Sequence, residues 1–222
     1  MKNLYALIFA GGLVLLTSCQ TADKSTGNFN LLPVPRQMEV TGASGIHVDE
    51  VLFCFSADGS ELPVLGATLS GIKPADNQEK AQVVFRIDPD LDLEPEGYTL
   101  EISGEQIAIA GKDRAGLLYG FMTLEQLMED AGEQGVPLPL CSIQDCPLLS
   151  YRAIHLDMKH HLEKTEYYYK LMDKLAHYKV NAIIAEVEDK LGYQRQPVVA
   201  SEDALGMEEW KKLSDYAMER NV

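Results

Sequence analysis

The chain has 222 residues, 46% of them hydrophobic, which supports one large domain or two small ones with real cores and excludes a disordered chain. Its formal charge is −15, with acidic residues spread along the whole length, so its field repels nucleic acid and suits a neutral or polymeric partner. The four cysteines, Cys19, Cys54, Cys141 and Cys146, form no CxxC pair and have no histidine at ligand spacing, so neither a metal nor another cofactor is expected.

Residues 1–18 read as an export signal: Lys2 supplies the positive start, and Leu4 to Leu16 is apolar apart from Gly11 and Gly12. That run is too short to span a bilayer. Leu16-Thr17-Ser18-Cys19 resembles the lipobox of bacterial lipoproteins, which implies lipidation at Cys19, a polar tether over residues 19–30, and a membrane partner reached through the lipid anchor. The expected location is the outer membrane of a bacterium, facing the periplasm or the surface; an ordinary signal peptide with an incidental cysteine is the alternative. In an oxidising envelope Cys141 and Cys146 either close a small disulfide loop or stay as buried thiols.

Residues 31–144 read as a small accessory α/β domain. After the stiff entry Leu31-Leu32-Pro33-Val34-Pro35-Arg36, strands are expected at Val51 to Phe55, Val83 to Ile87, Tyr98 to Ile102 and Ile107 to Ala110, the last two joined as a hairpin through Ser103-Gly104-Glu105. Asp113 then caps a helix whose Leu117, Phe121, Leu124 and Met128 make one apolar stripe, with Gly132 as its stop.

From residue 145 to 222 the pattern becomes strand-helix-strand-helix, hence parallel pairing. Ala153 to Leu156 is expected as a short buried strand, Thr165 as the cap of a helix carrying Tyr168, Leu171, Met172, Leu175 and Tyr178, Ala182 to Val187 as a second strand, and Met207, Trp210, Leu213 and Ala217 as the apolar face of a second helix. Two such units cannot close a barrel, which needs eight.

Three segments together resemble family 20 glycoside hydrolases, the β-N-acetylhexosaminidases. Ile109 to Leu124, with its Gly111-Lys112-Asp113-Arg114-Ala115-Gly116 turn, is similar to the hairpin-and-helix signature of the family's accessory domain. Ile143-Gln144-Asp145-Cys146-Pro147 and Tyr151-Arg152-Ala153-Ile154-His155-Leu156-Asp157 look like the entry into the first barrel strand. Lys179 to Asp189 occupies the place of the second, although Glu186-Val187-Glu188-Asp189 replaces the commoner His-Leu-x-Asp-Asp ending and looks more like the hexosaminidase D branch.

The resemblance implies an α/β fold: an accessory domain followed by the first two β/α units of a truncated TIM (β/α)8 barrel. It implies removal of terminal N-acetylhexosamine from glycans, with retention, by attack of the substrate's own acetamido oxygen, assisted by an adjacent Asp-Glu pair after the fourth barrel strand. These residues carry no such strand, so the chain is expected to stop short of its catalytic pair, leaving the catalytic set empty. Arg152 matches a family arginine that binds sugar hydroxyls, and the alternative is an ion pair at the strand start. Glu188 and Asp189 are the other substrate-binding candidates; Asp157 is expected either to shape the site or to hold a loop. The adjacent His160 and His161 lack a third partner for a metal. Two competing readings are a non-catalytic glycan- or protein-binding envelope lipoprotein, and a neighbouring barrel glycosidase such as a family 84 enzyme or an α-glucuronidase.

Overall fold

A computed structural model describes residues 27–222, so the export segment and Cys19 lie outside the described residues. Among the described residues nine strands and three α-helices follow in order: β1 (Gln37–Ala43), β2 (Phe53–Ser56), β3 (Lys73–Pro74), β4 (Val83–Ile87), β5 (Tyr98–Ile102), β6 (Ile107–Gly111), α1 (Arg114–Gln134), β7 (Pro139–Asp145), β8 (Ala153–Asp157), α2 (Thr165–His177), β9 (Ala182–Glu186) and α3 (Met207–Glu219).

Seven strands form one mixed sheet in the order β1-β7-β5-β6-β4-β2-β3. The β5–β6 hairpin is antiparallel with Leu100 opposite Ile109, as alternation around a Ser-Gly-Glu turn requires. β4 runs parallel to β6 and β2 parallel to β4, while β7 lies between β1 and β5, antiparallel to both. Strands β1 and β7 escape the sequence pattern. β1 is a largely exposed edge in which only Met38 and Val40 alternate with polar residues, and β7 begins at Pro139, a residue that a sheet tolerates only at a strand start or an edge.

Helix α1 lies on this sheet and supplies Leu117, Tyr119, Phe121, Leu124, Leu127 and Met128 to the main core, where they meet Val83, Phe85, Tyr98, Leu100, Ile107 and Ile109. Its N-cap is Asp113, whose carboxylate accepts the Gly116 N–H at 2.8 Å. The expected stop at Gly132 is corrected: the helix continues to Gln134 and ends at Gly135, whose left-handed backbone (φ +65°) provides the C-cap.

Strands β8 and β9 pair in parallel, with Asp157 opposite Glu186, and α2 and α3 cover one face of the pair. Met158, Tyr168, Met172, Leu213 and Ala217 form the second core there. The expectation of a buried first strand is corrected: Ala153, His155 and Asp157 are exposed, because the pair has helices on one face only among the described residues. The cap assignment shifts as well, since Thr165 is the first helical residue and Lys164 precedes it without a side-chain cap. Cys141 and Cys146 are buried free thiols, and burial pushes the Cys141 thiol up to about 12.

Candidate functional site

Period-two alternation puts His155 and Asp157 of β8 on the uncovered face, beside Ile184 and Glu186 of β9. Lys159, just past the end of β8, turns back over them. Its ammonium donates to Glu186 Oε1 at 2.6 Å and stands 3.6 Å from Asp157 Oδ2, while Glu186 Oε2 lies 3.0 Å from His155 Nε2. The Glu186 hydrogen bond, helped by the charges of Asp157, Glu186 and Glu188, raises the Lys159 ammonium above the ordinary lysine range. The result is a carboxylate-rich cluster at the C-terminal ends of two parallel strands, able to accept hydrogen bonds from hydroxyls on its solvent side.

The chain leaves β9 through a short 3-10 turn at Glu188–Lys190, and Glu188 takes a left-handed backbone (φ +39°) that an L-residue adopts only under constraint. Tyr193 holds the turn by donating its hydroxyl to the Glu188 carbonyl at 2.8 Å. Lys190 bridges to Asp203 at 2.9 Å and stands 3.7 Å from Asp189. Glu188 is exposed beside the cluster, whereas the half-exposed Asp189 carboxylate stands against Lys190.

Arg152 is placed elsewhere. It precedes β8, at the opposite end of the strand from Asp157. Its Nε donates to the Lys179 carbonyl and one Nη to that of Leu149, both at 2.7 Å; the other Nη donates to Glu96 Oε2 and to the Tyr119 hydroxyl, both at 2.8 Å. Four of its five donors are therefore taken by protein, so the sugar-binding assignment gives way to the ion-pair alternative. Glu96 belongs to the loop before β5, and the pair fastens the strand pair to the larger sheet.

Beside it Lys179 is buried, with its ammonium 2.7 Å from the Tyr98 hydroxyl and 3.2 Å from Asp145 Oδ2. Tyr98 also hydrogen-bonds Thr123 at 2.6 Å and Asp145 at 3.1 Å. Burial, reinforced by the Glu96 charge, pushes the Tyr119 hydroxyl up to about 12. An unfolded tyrosine ionises near 10, so between about pH 10 and 12 the unfolded chain sheds a proton that the folded one keeps. Stability from Tyr119 is accordingly full below about pH 10 and lost as pH rises towards 12. Urea midpoints measured against pH are expected to fall less steeply across this window in Tyr119→Phe; parallel curves would refute it.

His155, Lys159 and Glu186 were not singled out by sequence reasoning, since only the β8–β9 register brings them together. His160 is exposed, His161 stands 3.2 Å from Glu163, and among the described residues no group of three or more His, Cys, Asp or Glu is arranged to hold a metal ion.

Residues 28–146 match the family model described as glycosyl hydrolase family 20, domain 2, which covers more than half of the chain. The chain belongs to glycosyl hydrolase family 20. Among curated relatives of this family 20 chain, a β-hexosaminidase of Porphyromonas gingivalis is 29% identical over 173 residues, which are 68% of this chain and 22% of that protein. An N,N'-diacetylchitobiase of Vibrio harveyi is 27% identical over 183 residues, 78% of this chain and 20% of that protein. The family 20 chain thus spans about a fifth of the length of these relatives. Its fold is similar to that of a β-hexosaminidase of Streptomyces plicatus, with a TM-score of 0.71 at 21% identity over 86% of this chain and 44% of that one. A β-N-acetylhexosaminidase of Bacteroides fragilis superposes with a TM-score of 0.69 at 19% identity, covering 86% of this chain and 43% of that one.

Proposed function

We propose that these residues form the front of a β-N-acetylhexosaminidase that removes terminal N-acetylhexosamine from glycans by substrate-assisted, retaining hydrolysis. The observation that carries the reading is the in-register pair Asp157 and Glu186 at the C-terminal ends of two parallel strands, in a chain of family 20. In this reading β8-α2-β9-α3 is the opening of a TIM (β/α)8 barrel, and residues 145–222 are the start of its catalytic domain after an accessory domain at 31–144.

Asp157 and Glu186 accept hydrogen bonds from sugar hydroxyls, Lys159 holds the two carboxylates in place, and Glu188 with Asp189 shapes the rim. Protonation of the leaving oxygen falls to an Asp-Glu pair outside residues 1–222, where a buried Glu with a raised pKa acts as general acid. The Glu186-Val187-Glu188-Asp189 ending supports the hexosaminidase D-like branch. The Leu16-Thr17-Ser18-Cys19 pattern supports export and lipid anchoring at Cys19, with the protein held at the outer membrane.

The 222-residue chain alone is expected to release no aryl group from an aryl N-acetyl-β-glucosaminide. A longer coding sequence that adds an Asp-Glu pair after two further strand-helix units is expected to do so. Release by the short chain would overturn the division of labour, and absence of such a pair downstream would favour a non-catalytic glycan-binding lipoprotein.

A further inference from the structure

Between the larger sheet and the start of β8 lies a cavity of about 250 Å³, distinct from the strand-end cluster. Its walls are apolar, with Val34, Leu148 and Leu149 strongly exposed at its rim. Its polar lining carries three cations, the exposed Arg36, the part-buried Arg152 and the buried Lys179, against two carboxylates, Glu96 and Asp145.

The carboxylates are already assigned. Glu96 pairs with Arg152 and Asp145 with Lys179. The Arg36 guanidinium donates to the carbonyls of Cys146 and Pro147, at 2.8 and 3.1 Å, and its backbone N–H donates to Asp145 Oδ1 at 3.2 Å; among the described residues no carboxylate stands within ion-pair distance of the guanidinium itself. Lys179 has three N–H donors and uses two, on Tyr98 and Asp145; Arg152 keeps one donor in reserve. Burial holds the Lys179 ammonium below its usual range, with Asp145 opposing that shift and the Arg152 charge adding to it.

A lining with one more cation than carboxylates, spare donors and an exposed apolar rim within a chain of net charge −15 define a specific complement. The geometry points to a binding site for a small monocarboxylate with an aliphatic body, its carboxylate meeting Arg36 and Lys179 and its chain lying against Val34, Leu148 and Leu149. A neutral ligand of the same shape leaves the surplus charge unanswered, and an amine adds to it.

Calorimetric titration of the 222-residue chain with hexanoate, hexan-1-ol and hexylamine tests the site. Hexanoate is expected to bind saturably at one site per chain, and neither the alcohol nor the amine to do so. Arg36→Gln removes an exposed guanidinium without emptying a core position, and is expected to weaken hexanoate at least tenfold while lowering the urea midpoint only by the loss of its two bonds to the Cys146 and Pro147 carbonyls. No saturable binding of hexanoate, equal binding of hexanoate and hexanol, or undiminished binding to Arg36→Gln would each overturn the assignment.

Discussion

Gly116→Ala is expected to destabilise the chain by about 3 kcal/mol, and Gly132→Ala, in the same helix, to stabilise it by about 0.5–1 kcal/mol. A Cβ on Gly116 would stand 2.1 Å from the Gly97 carbonyl oxygen and 3.0 Å from its carbon, both backbone atoms, so α1 would have to lift away from the loop before β5. At Gly132 the nearest atom is Val48 Cγ2 at 3.9 Å, an ordinary contact, and alanine there only reduces the conformational freedom of the unfolded chain. Urea unfolding of the two variants decides the matter: changes of the same sign would show that the close approach of α1 does not hold in solution. Both glycines interrupt one helical pattern, and helix propensity alone treats them alike.

Lys179→Met is expected to cost about 3 kcal/mol, because it leaves the Asp145 carboxylate buried without its cation beside Tyr98. Replacing both partners, as Lys179→Met with Asp145→Asn, is expected to recover much of that loss, since the penalty comes from the orphaned charge rather than from the absent attraction. The comparison by urea unfolding has a clear negative outcome: a single variant within about 1 kcal/mol of the parent would mean that water reaches Asp145. Arg152 and Lys179 together tie the strand pair to the larger sheet, so the same measurement reports on how firmly the strand-end cluster is carried.

Much of this fold is legible in the linear chain, and the reasons are local. Val83–Ile87 and Tyr98–Ile102 appear as expected because short apolar runs are bounded by turn residues, and α1 because Asp113 caps a stripe at helical spacing. The parallel pairing of β8 with β9 follows from the strand-helix-strand order. Strand β7 was not legible, because it joins β1 and β5 across long stretches of chain, and nothing near Pro139 announces partners that distant. The end of α1 was misplaced for a related reason: Gly132 has room to remain helical, and Gly135 takes the left-handed turn.

The candidate site divides along the same line. Asp157, Glu188 and Asp189 could be named from the sequence because carboxylates after a parallel strand face the usual ligand side of an α/β sheet. Arg152 is the instructive case. Its residue type suits a sugar as well as it suits a carboxylate, and only the tertiary structure, by placing Glu96 2.8 Å away and Tyr119 beside it, assigned its donors to the protein. The partnership of Lys159 with Glu186, and the buried place of Lys179, arise likewise from residues 27 and 34 positions apart in the chain. Sequence by itself carried the resemblance to family 20 in three motif segments, most of the element types in local pattern, and the acidic character in composition. Tertiary structure alone decided which charges meet, because pairing energy depends on distance and burial, and neither is written in the order of the residues.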